Sequence, residues 1–206
     1  MKKFSKKGVL LFAAAMAFCA FMMPAAASAL SWGGVGTHHV LDSPNVGFTS
    51  TGAVGRIISS CTSSSFTSNV SSAANLEITA TSFGGTCTAS FPDLAATGVC
   101  NVTATGTSLP WTATARTTSD IQIHGVNIDV VFDQTATTTC PAAVTGAALR
   151  ITGTLTGGAW TGNSANQHEI ILQDEEGLVS HSALGNGVQV TARGTFRDTS
   201  QSLTVS

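Results

Sequence analysis

The chain has 206 residues, enough for one or two domains, and its net charge of −2 blends two unlike parts. All four Lys and all four Met fall in the first 23 positions, so the remainder has no Lys, no Met and no Tyr, and its five Arg face eleven Asp and Glu for a net charge of −6. That balance excludes a basic nucleic-acid surface and a polybasic membrane-surface patch, both of which need clustered Lys and Arg.

Residues 1–29 read as an export signal: a charged region from Lys2 to Lys7, an apolar stretch from Val9 to Met23, and the small-residue site Ala27-Ser28-Ala29. Cleavage after Ala29 makes Leu30 the first mature residue. The apolar run is short of the roughly 20 residues that cross a bilayer and ends at Pro24, so a transmembrane anchor is disfavoured. Phe18 stands where a lipidation site at Cys19 would need a small residue. The expected location is secreted or cell-surface, with no transmembrane segment in the mature chain.

Beyond the signal, Leu30 to Ser50 is weakly patterned and reads as an irregular N-terminal arm or a first irregular strand, followed by one all-β domain over 51–206. The 177 residues from Leu30 hold thirty Thr, twenty-one Ser and twenty Gly. Thr suits a half-buried pleated surface, while Gly and Ser punctuate turns. Period-two alternation recurs in Leu76-Glu77-Ile78-Thr79-Ala80-Thr81, in Cys100-Asn101-Val102-Thr103-Ala104-Thr105, in Trp111-Thr112-Ala113-Thr114-Ala115-Arg116 and in Leu149-Arg150-Ile151-Thr152-Gly153-Thr154-Leu155-Thr156. Each has one apolar face and one Thr-rich or charged face, the mark of antiparallel strands packed on one side.

Asp120 to Phe132 is either a hairpin or one long strand; Ile121, Ile123, Val126, Ile128 and Val130 share a face if Gly125 is a bulge, and the bulged strand is preferred. Glu169-Ile170-Ile171-Leu172 then leads to a turn at Asp174-Glu175-Glu176-Gly177. A strand from Gly187 to Phe196 and a short one at Ser202-Leu203-Thr204-Val205 complete the set. Gly84-Gly85 and Gly157-Gly158 read as turns between strands. Ten to twelve strands at this spacing predict a single antiparallel β-sandwich or jelly-roll-like barrel. A membrane barrel is disfavoured by the missing Tyr and aromatic girdles.

Cys61, Cys87, Cys100 and Cys140 remain after the signal is removed, an even set suited to two disulfides in an oxidising compartment. Three connectivities are open; Cys87 with Cys100 and Cys61 with Cys140 is preferred. A metal site is disfavoured, because the spacings of 26, 13 and 40 include no Cys-x-x-Cys. Adjacent His38 and His39 on a strand would point to opposite faces, which favours a polar arm over a metal site. His168, Glu169 and His181 flank the acidic turn, where a solvated hairpin is preferred to weak Ca²⁺ binding. Asn69-Val70-Ser71 and Asn101-Val102-Thr103 fit the N-glycosylation pattern and are expected to stay unmodified.

No Gly-x-Ser-x-Gly elbow, Ser-x-x-Lys motif or phosphate cradle is present, and few aromatics accompany the carboxylates that glycoside hydrolysis would need. No catalytic, metal or cofactor residues are therefore assigned, and the protein is expected not to be an enzyme. Pro110 forces an extended residue before Trp111, which reads as an inward core anchor or, alternatively, as an aromatic for an apolar ligand.

The succession Ser60-Cys61-Thr62, Ile78 to Gly85, Ser108-Leu109-Pro110-Trp111-Thr112, Gly125-Val126-Asn127-Ile128, Thr139-Cys140-Pro141 and Leu149 to Gly153 resembles the secreted bacterial protein activators of alkane oxidation, the Pra group. It is also similar to uncharacterised exported proteins of high-GC Gram-positive bacteria with Cys-x-Val-x-Ala-x-Gly and Leu-Pro-Trp elements. Gly157-Gly158-Ala159-Trp160 stands where the Pra pattern has a Cys, and Cys87 and the longer tail are additional. The resemblance implies an exported, non-enzymatic, surface-active or surface-associated β protein, and supplies no catalytic residues.

The leading expectation is a secreted, non-enzymatic cell-surface or extracellular protein, interface-active or adhesive, that aids use of hydrophobic substrates. The alternatives are a fimbrial subunit completed by a partner's strand and a small secreted hydrolase, which would show a deep pocket with convergent His and carboxylates.

Overall fold

The computed structural model describes residues 30–95, 98–161, 168–182, 184 and 186–206. The expected export segment and its cleavage residue Ala29 lie outside them, and Leu30 is the first residue within. Ten strands follow in chain order: β1 (His38–Ser43), β2 (Val46–Gly52), β3 (Gly55–Ser72), β4 (Asn75–Ser90), β5 (Val99–Gly106), β6 (Trp111–Thr117), β7 (Asp120–Asp133), β8 (Ala148–Thr161), β9 (Glu169–His181) and β10 (Val188–Asp198).

The pairing reduces ten strands to eight positions. Ser43 faces Ser64 and Val46 faces Cys61, so β1 and β2 follow β3 in one register and break only at Pro44-Asn45. Proline has no N–H to give the ladder. In the same way Asn101 of β5 faces Thr88 and Ala113 of β6 faces Leu76, a single register along β4 broken around Leu109-Pro110. Every position pairs antiparallel with its chain neighbours, and β10 closes onto β1 and β2. The result is a closed eight-stranded up-and-down barrel. It corrects the expected sandwich or jelly roll: alternation along a strand fixes which side is apolar, but one rolled sheet and two stacked sheets carry the same alternation.

The stretch 30–50, read as an irregular arm, supplies β1 and most of β2. Its alternation is hard to see because two of the three inward residues of β1, His39 and Ser43, are polar. Two further expectations are corrected. Asp174 to Gly177 is not a hairpin turn but an irregular stretch inside β9, and Gly84-Gly85 and Gly157-Gly158 lie within β4 and β8. The register shifts beside them, between Cys61 and Ser63 on β3 and between Thr156 and Ala159 on β8. Turn-like residues inside long strands make bulges, and bulges bend a sheet enough to close it. The bulged reading of β7 holds: the register slips between Ile123 and Val126, and Gly125 has φ 72°. A Cβ on Gly153 would come within 2.2 Å of the Gly177 carbonyl oxygen, so β8 and β9 touch backbone to backbone there.

The barrel interior is mainly apolar, with buried polar residues such as His39, Ser68 and Asp198 toward the upper mouth. Ile121, Ile123, Val126, Ile128, Val130 and Phe132 of β7 are buried, and Gln122, His124, Asn127 and Asp129 alternate with them on the wall. Phe66 stacks on Phe196 at 4.0 Å and meets Trp111 edge-on at 6.0 Å. The apolar void lined by these rings, Phe48, Phe83 and Ile128 has about 10 Å³ of free space, room for one water at most. The outer wall bears mostly Thr, Ser and charged side chains; Val35, Val40 and Val99 are the exposed large apolar residues among those described. This polarity is the inverse of a lipid-facing barrel. No helix among the described residues is long and apolar enough to cross a membrane.

Both mouths are plugged. The upper one is closed by the segments 31–33 and 204–206, where Ser31 and Ser206 exchange backbone hydrogen bonds at 2.7 and 2.9 Å and Gly33 N–H donates to Thr204. Trp32 drops into this mouth, 2% exposed, donating its indole N–H to the Ala113 carbonyl and lying 6.0 Å edge-on from Trp160. Ser202 to Val205, expected as a strand, contributes only the bridge of Val205 to Trp32. The lower mouth is filled by Phe91, Leu184 and the loop 134–147, whose Val144 is fully buried.

Two disulfides form, but not in the preferred pairing: Cys61 joins Cys87 and Cys100 joins Cys140. The β3–β4 register sets Cys61 opposite Cys87. The β4–β5 register sets Ala89, not Cys87, opposite Cys100, which leaves Cys100 to anchor the lower loop through Cys140.

Candidate functional site

The inward faces of β1 and β10 carry a polar cluster into the upper mouth, above the Phe66–Phe196 stack. His39 and Asp198 are 2% and 0% exposed, and His39 Nδ1 lies 3.2 Å from Asp198 Oδ2. The chain after β10 wraps around this carboxylate. Backbone N–H groups of Ser200, Ser202 and Leu203 donate to it at 3.1, 2.9 and 2.8 Å, and the Ser200 hydroxyl donates at 2.9 Å. Burial alone would raise the Asp198 pKa, but the Leu203 N–H, the Ser200 hydroxyl and the Ser202 and Ser200 N–H groups outweigh it and hold the carboxyl below the ordinary range.

An ionised carboxylate only accepts hydrogen bonds, so the hydrogen of the neutral imidazole sits on Nδ1 and Nε2 is its basic nitrogen. Nε2 lies 2.7 Å from the Thr37 hydroxyl oxygen. Thr37 is exposed, at the end of a turn in which its N–H donates to Gly34 at 2.9 Å. Ser68, fully buried on β3, donates its hydroxyl to the His39 carbonyl. Buried His168 shares the mouth, its Nδ1 2.8 Å from the Leu203 carbonyl oxygen and its ring 6.2 Å from Trp160.

The wall carries two more charged arrangements. Arg150 grips Asp129 with Nε and a terminal nitrogen at 2.7 and 3.2 Å, and this hydrogen bond lowers the Asp129 pKa against a smaller opposing effect of burial. His181 lies on the next strand opposite Arg150, hydrogen-bonded to Thr152 at 3.0 Å and Asn186 at 3.2 Å. These residues rim a shallow outer depression. Arg197, paired with Glu169 and opposite Asp42, borders a second one.

His38 and His39 do face opposite ways, but His39 is a buried cluster member rather than part of a polar arm. His168, Glu169 and His181 are not brought together: the first lies in the upper mouth and the last at the lower end of β9. Trp111 is 1% exposed inside the barrel, its indole N–H bonded to the Thr107 carbonyl. Among the described residues no group of three or more His, Cys, Asp or Glu could hold a metal ion. Sequence reasoning missed Thr37, Asp198 and Ser200; the signal available was Asp198-Thr199-Ser200 after a strand, a spacing at which Asp caps the backbone two residues on.

No protein-family model, no curated protein and no solved structure matches the chain. The fold and site therefore define it by themselves, as a disulfide-bonded up-and-down barrel sealed at both mouths.

Proposed function

We propose that the protein acts outside the cell without catalytic turnover, as a surface or matrix component that meets its partners through the polar outer wall. The observation that carries this reading is the filled interior. Eight-stranded barrels that carry small ligands keep an open cavity, whereas this one has about 10 Å³ between its rings and is plugged above and below. Adhesion to polar polymers is favoured over activity at a hydrocarbon interface, because Val35, Val40 and Val99 are the exposed large apolar side chains among the described residues, and an interface-active face would present a contiguous apolar patch. A closed hydrogen-bonded circuit also argues against the fimbrial alternative, which needs a gap for a partner's strand.

The test is a parallel binding assay of the purified protein on envelope polysaccharide and on hexadecane droplets. Retention on the polysaccharide with recovery from the aqueous phase supports the reading. Accumulation on the droplets, or steady-state turnover of an ester or glycan panel lost on a single His or Asp change, overturns it.

A further inference from the structure

We propose that Thr37 is a nucleophilic acyl-acceptor site, activated by His39 and taking an acyl group from an activated ester. The three residues stand in the order that turns an alcohol into a nucleophile: hydroxyl to Nε2 at 2.7 Å, Nδ1 to carboxylate at 3.2 Å, and a buried carboxylate fixed by backbone donors. A cluster needed only to close the seam between β1 and β10 would be complete with His39, Ser68 and Asp198. Instead the basic nitrogen of a buried imidazole is turned onto the exposed hydroxyl, next to a turn of glycines.

The hydroxyl has two acceptors in reach, the Gly34 carbonyl at 2.5 Å and Nε2. When His39 is neutral with its hydrogen on Nδ1, the Thr37 proton can swing from Gly34 to Nε2, which readies the oxygen for attack. The approach is open: a Cβ placed on Gly36 would meet no atom within 4 Å, and neighbouring Val35 is 60% exposed. This open approach fits a small or extended acyl ester with a good leaving group rather than one selected by shape. In the step, the Thr37 oxygen bonds to the acyl carbon and the ester C–O bond breaks. The Thr37 proton passes to His39 Nε2 and on to the departing alkoxide, which leaves as the alcohol. Nothing is oxidised or reduced.

Peptide mapping makes the experiment decisive, because the Lys residues and the one Cys outside a disulfide (Lys2, Lys3, Lys6, Lys7 and Cys19) all precede residue 30, while the described residues include no Lys or Tyr and all four of their Cys are in disulfides. The full-length chain is incubated with p-nitrophenyl acetate, and nitrophenol release and the acetylated peptide are followed together. The expected result is a burst of one equivalent assigned to the Thr37 peptide, over any slower acetylation before residue 30, retained in Thr37→Ser and reduced at least tenfold in Thr37→Ala and His39→Gln. Thr37 is exposed, so Thr37→Ala decides the matter even if His39→Gln fails to fold. Acetyl mapped elsewhere, an equal burst in folded Thr37→Ala, or no burst in the wild type overturns the proposal. A one-equivalent burst without turnover leaves the non-catalytic reading above untouched, so the two fail separately.

Discussion

The two mouths of the barrel solve the same sealing problem with different chemistry. Below, a loop of apolar and Thr residues is tied down covalently through Cys100–Cys140. Above, no disulfide among the described residues holds the plug: Trp32, the paired segments 31–33 and 204–206 and one buried carboxylate with its ring of donors seal it. The lower seal thus answers to redox conditions and the upper to protonation, although both cover one continuous apolar core.

The largest expected effect comes from breaking the upper seal at its centre. Asp198→Ala strands three backbone donors and the His39 ring in a buried site, which should destabilise by about 3–5 kcal/mol in urea denaturation. Hydrogen exchange should show Gly33 and Ser206 losing protection first. A similar result for Gly146 would mean that the two seals are one cooperative unit. The matching break below is Cys100→Ala with Cys140→Ala. The chain-entropy model puts its loss at on the order of 4 kcal/mol for a separation of 40 residues. The loss should concentrate at Val144 to Ala147.

Acid should distinguish the mouths more gently. The folded pKa of Asp198 is depressed, so its contribution is present above the carboxyl pKa of the unfolded chain, about 4, and is lost as pH falls through the lower folded value. Wild type should therefore lose stability below about pH 4 with the upper mouth leading, and Asp198→Asn should flatten that slope. If the lower loop exchanges first instead, the assignment of the acid response to the upper mouth is wrong. The smallest effect belongs to the wall. Arg150→Ala removes a solvent-screened pair and should leave the denaturation midpoint within error, while raising the Asp129 pKa toward its ordinary value in a carboxylate NMR titration.

Much of the barrel could be read from the chain because its information is local. Alternation in Trp111 to Arg116 gave the apolar face, and the misfit at Gly125 gave a bulge; in Leu76 to Thr81 it held for Leu76 and Ile78 but failed at Ala80, which a register slip opposite Thr67 and Ser68 turns outward. Where the reading failed, the deciding partner was distant in sequence or the signal had two meanings. Asp-Glu-Glu-Gly serves a turn or a bulge equally well, and only the neighbouring strand decides. Disulfide pairing follows register: a two-residue offset along β4 separates Cys87 from the partner of Cys100. His39 looked bland because its carboxylate lies 159 residues away.

The meeting of Ser31 with Ser206 sets an order of events in the life of the molecule. The contact spans 175 residues, so Trp32 has no finished socket until residues 204–206 are in place. A chain lacking residues 204–206 cannot complete this mouth. Closure of the upper mouth is thereby a long-range event, one that joins segments 175 residues apart and comes late in folding compared with the neighbouring hairpins.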